Sequence, residues 1–174
     1  GLLKAPVSTA SIVQFRSRML SLKKSMPPVV LSSVIKSSCN AWTTSGRFSG
    51  MNLPCPFGCR TDRGDKWAHF ATCTAIREMW REACPRASAI FDHLSLEKVL
   101  LISPDLSEEV VSQVAIWTDV VGHLSSDIRA NATPPTRVLA EGVVMIAARL
   151  CHLSAPVFHT HLTLPTIYSA SSCV

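Results

Sequence analysis

The feature that most constrains this chain is a cluster of three cysteines and one histidine. Cys55-Pro-Phe-Gly-Cys59 is followed after nine residues by His69 and after three more by Cys73, so the four side chains fall within 19 positions. Zinc prefers four such ligands in a tetrahedron, and a sequence can supply them as two close pairs joined by a loop. The cluster therefore predicts one Zn²⁺ site that the fold has to close.

Each pair has its own local requirement. We expect the first pair to lie on a turn that contains Pro56 and Gly58, and the second pair to lie on one helix, where positions four apart share a face. The spacer between the pairs is polar and contains Gly64, so it closes at modest entropic cost. Metal binding would supply much of the local folding free energy, about 10 kcal/mol in small zinc modules. Alternatively, the cysteines are small buried hydrophobic residues and His69 is an ordinary helix histidine.

The ligand count indicates a structural zinc and no catalytic residues. A catalytic zinc keeps an open position beside a carboxylate base, whereas here protein can fill all four positions and no His-Glu-x-x-His or His-x-Glu pattern occurs. A small metal-dependent hydrolase would need an exchangeable fourth ligand and is disfavoured. A nucleophilic Cys73 beside His69 would lack an orienting third group. Cys84 and His93 are less favoured substitute ligands.

Charge is unevenly distributed along the chain. Residues 1–61 contain eight Lys or Arg and no Asp or Glu, whereas residues 62–174 contain nine basic and twelve acidic residues. Such asymmetry is expected of a segment that meets phosphate backbones, and the alternative is a solvated basic face with a flexible arm. The candidate nucleic-acid-binding residues are Arg16, Arg18, Lys23, Lys24, Arg47, Arg60 and Arg63.

Helical periodicity accounts for most of the chain. The signals that begin and end these helices are caps at Ser8 or Ser11, the break at Pro27-Pro28 and a cap at Asp65. No strand-like alternation of useful length appears, so the fold class is all-α, a helical domain with a small zinc-stabilised loop. The predicted helices cover residues 8–24, a segment from Pro28 towards Trp42, residues 66–83, residues 87–93, a segment from Ser95, a long segment from Ser107 towards Ala130, and residues 137–153. We expect the last two of these helices to pack antiparallel.

Composition divides the chain into four parts: a basic helical segment 1–50, a zinc-binding knuckle and helix 51–85, a helical region 86–154, and a tail 155–174 that we expect to be disordered. The tail contains His159-Thr-His161, which has no further ligand nearby. The longest apolar stretch, 138–150, is too short to span a membrane and contains two charges. An odd cysteine count without a secretory signal favours an intracellular location, with the nucleus as one candidate.

The order of these features resembles a known family. A basic helix, Asn40-Ala-Trp42-Thr-Thr-Ser-Gly-Arg47-Phe48, the Cys55-to-Cys59 turn and Asp65-x-x-x-His69-x-x-x-Cys73 are similar to the zinc-binding region C-terminal to the polymerase in LINE-type, non-LTR retrotransposon reverse transcriptases. The resemblance covers roughly residues 14–85. It implies a Cys-Cys-His-Cys zinc region that helps to hold template RNA or target DNA, with the polymerase body of the parent element as a further partner.

The chain departs from the whole enzyme of that family. It contains no Ala-Asp-Asp-like motif, and the paired aspartates that polymerase metals need are absent from the sequence. We therefore predict that this chain has no polymerase activity of its own. The alternative function is a helical protein-interaction module in which the zinc loop is only a brace and the amphipathic N-terminal helix docks on a partner through Ile12, Phe15 and Met19.

Overall fold

The computed structural model describes residues 7–42, 44, 53–59, 64–85, 88–131 and 134–154, and these residues form eight helices and no strand. The all-α class predicted from the sequence is therefore confirmed. The helices are α1 (Thr9–Ser25), α2 (Pro28–Ser38), α3 (Trp67–Phe70), α4 (Thr74–Ala83), α5 (Ser88–Asp92), α6 (Leu96–Val99), α7 (Glu108–Asn131) and α8 (Pro135–Ser154).

The first two helices begin where the local signals predict. The Ser8 hydroxyl accepts a hydrogen bond from the Ser11 amide at 3.1 Å and caps α1. Pro28 occupies the first turn of α2, where its missing amide hydrogen breaks no helical bond. α2 ends at Ser38, short of Trp42, whose side chain is buried.

The single helix predicted over 66–83 is wrong, because a turn at 71–73 divides it into α3 and α4. The amide and the hydroxyl of Thr72 both donate to the His69 carbonyl, at 2.9 and 3.1 Å. Because these two groups both bind the His69 carbonyl, α3 ends in a three-residue turn and the next i to i−4 backbone hydrogen bond does not form. Cys73 then has an extended backbone and immediately precedes α4.

The cap predicted at Asp65 is also wrong. Lys66, not Asp65, directly precedes α3, and no side chain caps that helix. The Asp65 carboxylate instead accepts two hydrogen bonds from Arg129 of α7, from Nε at 3.1 Å and from Nη2 at 2.5 Å. A bidentate guanidinium stabilises a buried carboxylate more than one backbone amide does, so Asp65 binds Arg129 and does not cap α3.

The centre of the fold is α7, which packs against both α2 and α8. Val114, Trp117 and Val121 of this helix are buried, and Val110 is partly buried. α8 returns antiparallel to α7, because Arg149 near the end of α8 lies 3.3 Å from Asp119 in the first half of α7. This confirms the predicted hairpin of the last two helices, and α4 packs on α8 as well.

A buried carboxylate connects three of these helices. Asp119 of α7 has no exposed side-chain surface and accepts a hydrogen bond from Ser33 of α2 at 2.7 Å. His123 lies 3.2 Å from the same oxygen, and Arg149 of α8 contacts the other. Because a buried charge is costly without partners, this network favours one relative arrangement of α2, α7 and α8.

In the part of the chain that the structure describes, no helix is long and apolar enough to cross a membrane. The predicted tail 155–174, including His159 and His161, lies outside the described residues, as does nearly all of the loop 43–52.

Candidate metal centre

The first two candidate ligands lie on a tight turn. The Gly58 amide donates to the Cys55 carbonyl at 3.1 Å, and Gly58 has a φ of +75°, in the left-handed region that glycine adopts without strain. The turn brings Cys59 back towards Cys55. A Cβ atom at Gly58 would also lie 3.4 Å from Pro135 at the start of α8, so this turn is packed against the helical hairpin.

The second pair converges for a different reason from the one predicted. His69 is in α3 and Cys73 precedes α4, so the two side chains do not share one continuous helix. The turn at 71–73 places Cys73 beside the first pair instead, with Sγ 3.8 Å from Sγ of Cys55. The predicted convergence of the four side chains is confirmed, and the i and i+4 argument for a common face of His69 and Cys73 was wrong.

All four ligand atoms lie within 4.8 Å of one another. Zn–S bonds of about 2.3 Å in a tetrahedron require S–S separations of about 3.8 Å and S–N separations of about 3.6 Å. The Cys55–Cys73 separation is 3.8 Å, and Sγ of Cys59 lies 3.0 Å from Nε2 of His69. The remaining adjustments are about 1 Å, so the residues fit a tetrahedral ion. Cys55 and Cys73 are free thiols in the structure, since their sulfur atoms are 3.8 Å apart and a disulfide bond is about 2.05 Å long.

Burial favours a site closed to solvent. Cys55, His69 and Cys73 are buried, and Cys59 is partly buried. Nε2 of His69 faces Cys59, whereas Nδ1 is buried and has no hydrogen-bond partner among the described residues. The group contains no carboxylate. The donor set is therefore three sulfur atoms and one nitrogen, which is a common set for structural zinc.

The thiols of the site perturb one another. The Cys73 thiol donates to the sulfur of Cys55 and stabilises its thiolate, which lowers the pKa of Cys55 to about 5. The same hydrogen bond, together with burial, raises the pKa of Cys73. A bound cation would stabilise thiolate charge among these sulfurs.

An aromatic cluster joins the centre to the helical core. Phe57, between the first two ligands, meets Phe70 edge-on at a centroid distance of 5.3 Å. Trp67 contacts Phe70, stacks on Trp42 at 5.8 Å and meets Trp117 of α7 at 5.9 Å. These rings are buried. The aromatic residues of this segment are therefore core residues and not an open platform for stacking bases.

The ion pair of Asp65 with Arg129 is a second connection that the sequence did not reveal. Its two residues are separated by 64 positions, so no local pattern marks them as partners. The side chain of Asp65 is 3% exposed and that of Arg129 is 21% exposed. The pair attaches the loop between the ligand pairs to the last turns of α7.

The other cysteine and histidine candidates do not join the site. Cys39 and Cys151 are exposed, and neither Cys84 nor His93 belongs to the group of converging ligand atoms. Cys173 lies outside the described residues.

The seven basic candidates fall into three groups. Arg16, Lys23 and Lys24 are exposed on α1. Arg18 is partly buried and donates to two backbone carbonyls, those of Leu101 at 2.7 Å and Pro104 at 3.3 Å, so it attaches α1 to the segment before α7. The remaining three, Arg47, Arg60 and Arg63, lie outside the described residues.

Comparisons of the chain with protein-family models, with curated proteins and with solved structures gave no match.

Proposed function

We propose that this chain is a helical module that is stabilised by one structural Zn²⁺ and binds RNA or DNA, mainly through contacts to phosphate. The observation that carries the proposal is the convergence of Cys55, Cys59, His69 and Cys73 within 4.8 Å. Four protein ligands complete a tetrahedron, so a bound zinc would have no open position for a substrate. Its contribution would be to hold the two ligand pairs together.

The charge of α1 supports the nucleic-acid part. Arg16 and Lys23 are seven residues apart and so lie on one face of the helix, with Lys24 adjacent. All three are exposed, and the described residues of α1 and α2 contain no acidic side chain that could neutralise them. A cationic stripe about two turns long is suited to successive phosphates. Arg18 would act by positioning α1, because its guanidinium is bonded to carbonyl groups.

The resemblance to the zinc region of LINE-type retrotransposon reverse transcriptases supports the same proposal. In that interpretation the ligands of the centre are the family's Cys-Cys-His-Cys set, and the basic helix precedes it as it does in the family. The substrate class would then be template RNA or target DNA. The polymerase body of the parent element would be a partner, and polymerase activity would belong to that body.

Salt-dependent binding tests the proposal. A labelled 20-nucleotide RNA and a duplex DNA of equal length would be titrated with the zinc-loaded protein at several salt concentrations. Binding through n phosphates lowers the logarithm of the association constant with a slope of about −0.9n for duplex DNA and −0.7n for single strands, against log salt. The double variant Lys23→Gln/Lys24→Gln should reduce the slope by about 1.5 units and weaken binding.

A matched control changes the same amount of charge elsewhere. Arg81 and Arg137 are exposed, form surface ion pairs and lie in the acid-containing part of the chain. Arg81→Gln/Arg137→Gln should leave the affinity and the slope unchanged, since such pairs contribute little to stability. Absent binding, salt-insensitive binding, or an equal loss in the control would contradict the proposal.

A further inference from the structure

Part of α1 presents apolar side chains that the core does not cover. Ile12 and Val13 are 57% and 62% exposed, whereas Phe15 packs partly against the core. Ile12 and Phe15 line a groove with a volume of about 300 Å³. Exposed apolar residues gathered at a concave surface are typical of interaction sites. The other lining residues are Val7, Ser38, Leu100 and Ile102.

The lining of this groove separates it from the proposed phosphate-binding stripe. Among the described residues no charged side chain lines it, and the one polar lining side chain is the hydroxyl of Ser38. Its volume is at the lower end of the range for ligand pockets, about 300–1,000 Å³. Phosphate backbones require cations, and a lipid surface is bound by a protruding apolar face. A concave apolar groove instead accepts side chains that an amphipathic helix inserts.

The charges around the groove indicate which charge its occupant would carry. Arg16 lies one turn beyond Ile12 and is exposed, and the described residues of α1 and α2 carry five basic side chains and no acidic one. The acidic residues Asp105 and Glu108 do not line this groove, and Glu108 lines a separate pocket together with Arg18. An occupant with acidic residues on the side facing α1 therefore matches the groove.

We propose that the groove docks an amphipathic, acidic helix of a protein partner, with aliphatic side chains inserted between Ile12 and Ile102 and carboxylates facing Arg16. This inference goes beyond nucleic-acid binding, because neither Lys23 nor Lys24 lines the groove and only Arg16 would serve both surfaces. Of the three α1 residues that the sequence suggests for a partner, Ile12 and Phe15 line the groove, whereas Met19 packs against the core and does not line it.

Three helical peptides of equal length test the proposal. The first has leucines at positions i, i+3, i+4 and i+7 and glutamates elsewhere; the second has the same composition with the leucines scattered around the helix; the third replaces glutamate by lysine. Binding to the full zinc-loaded chain would be measured by calorimetry and located by amide chemical shifts of the ¹⁵N-labelled protein. The first peptide should bind saturably, with shifts at residues 7–16, 38 and 100–102, and at least tenfold more tightly than the other two.

Variants decide whether this groove is responsible. Ile12→Ser should weaken binding of the first peptide about tenfold or more, since an anchor contact is lost. Val144→Ser is the matched control, because Val144 is a β-branched helix residue that is 60% exposed and does not line the groove. It should leave binding within about twofold of the wild type.

Several results would overturn the inference. These are equal binding of all three peptides, an equal loss in Ile12→Ser and Val144→Ser, or chemical shift changes confined to other surfaces. Binding of anionic vesicles but not of the first peptide would assign the face to lipid. Self-association of the free chain that Ile12→Ser abolishes would assign the groove to a second copy. If the first peptide bound tightly only after removal of residues 1–6, that segment would be the occupant of the groove.

Discussion

The substitution Gly122→Ala tests how α7 meets the segment that leads to the metal centre. A Cβ atom at Gly122 would lie 2.2 Å from Cζ2 and 2.3 Å from Cη2 of Trp42, well below a van der Waals contact. The ring is not free to move aside, because its Nε1 donates to Ser37 at 2.7 Å and its face stacks on Trp67. The new methyl group must therefore displace Trp42 or α7.

The magnitude follows from these contacts. Overpacking costs about 1–3 kcal/mol, loss of the indole hydrogen bond about 1 kcal/mol, and loss of the ring pair about 0.5–1.5 kcal/mol. The higher helix propensity of alanine relative to glycine offsets about 1 kcal/mol of this cost. We expect Gly122→Ala to lower the free energy of unfolding by about 2–4 kcal/mol, measured by urea denaturation with circular dichroism and tryptophan fluorescence.

Gly142→Ala is the control for this prediction. A Cβ atom at Gly142 would also approach another atom to 2.2 Å, but that atom is Sδ of Met79, the flexible end of a thioether side chain. Its second contact, with Leu124, is at 2.7 Å. Because Met79 can change rotamer and the helix gains propensity, we expect a loss below about 1 kcal/mol. A Gly122→Ala protein as stable as the wild type, or less affected than Gly142→Ala, would refute the packing argument.

Two further substitutions test the polar contacts between distant parts of the chain. Arg129→Gln leaves the buried Asp65 carboxylate without its guanidinium partner. It should lower the free energy of unfolding by about 3 kcal/mol in thermal or urea denaturation. An effect below about 0.5 kcal/mol would indicate that water solvates Asp65. Ser33→Ala removes the hydroxyl that donates to Asp119 and should cost about 1.5–3 kcal/mol, whereas Ser38→Ala, whose hydroxyl bonds only a helix carbonyl, should cost less in the same assay.

Local signals were sufficient for most helix boundaries. Ser8 and Ser95 cap their helices through their hydroxyl groups, and Pro28 lies in the first turn of α2, because capping depends on residues within one turn. The four residues that converge at the candidate centre were also predicted from spacing alone. Their approach was predicted correctly because a turn containing Gly58 has few ways to place two cysteines.

Most of what the sequence did not reveal depends on contacts between residues that are far apart along the chain. Nothing near Asp65 indicates that Arg129, 64 residues later, would bind it in place of a helix amide. The break after α3 arises where Thr72 competes for a carbonyl, a choice that periodicity does not encode. Arg18 has the same local appearance as its basic neighbours on α1, and only the fold places it against the carbonyls of Leu101 and Pro104.

The central claim is that four side chains of this chain enclose one zinc ion. Metal content of the purified, reduced protein measured by plasma mass spectrometry, with the wild type beside Cys73→Ser and Cys39→Ser, tests it directly. Cys39 is exposed and outside the site, so its variant controls for the loss of a thiol. We predict one zinc per chain in the wild type and in Cys39→Ser, and loss of tightly bound zinc in Cys73→Ser. No bound metal in the wild type, or full zinc retention in Cys73→Ser, would contradict the claim.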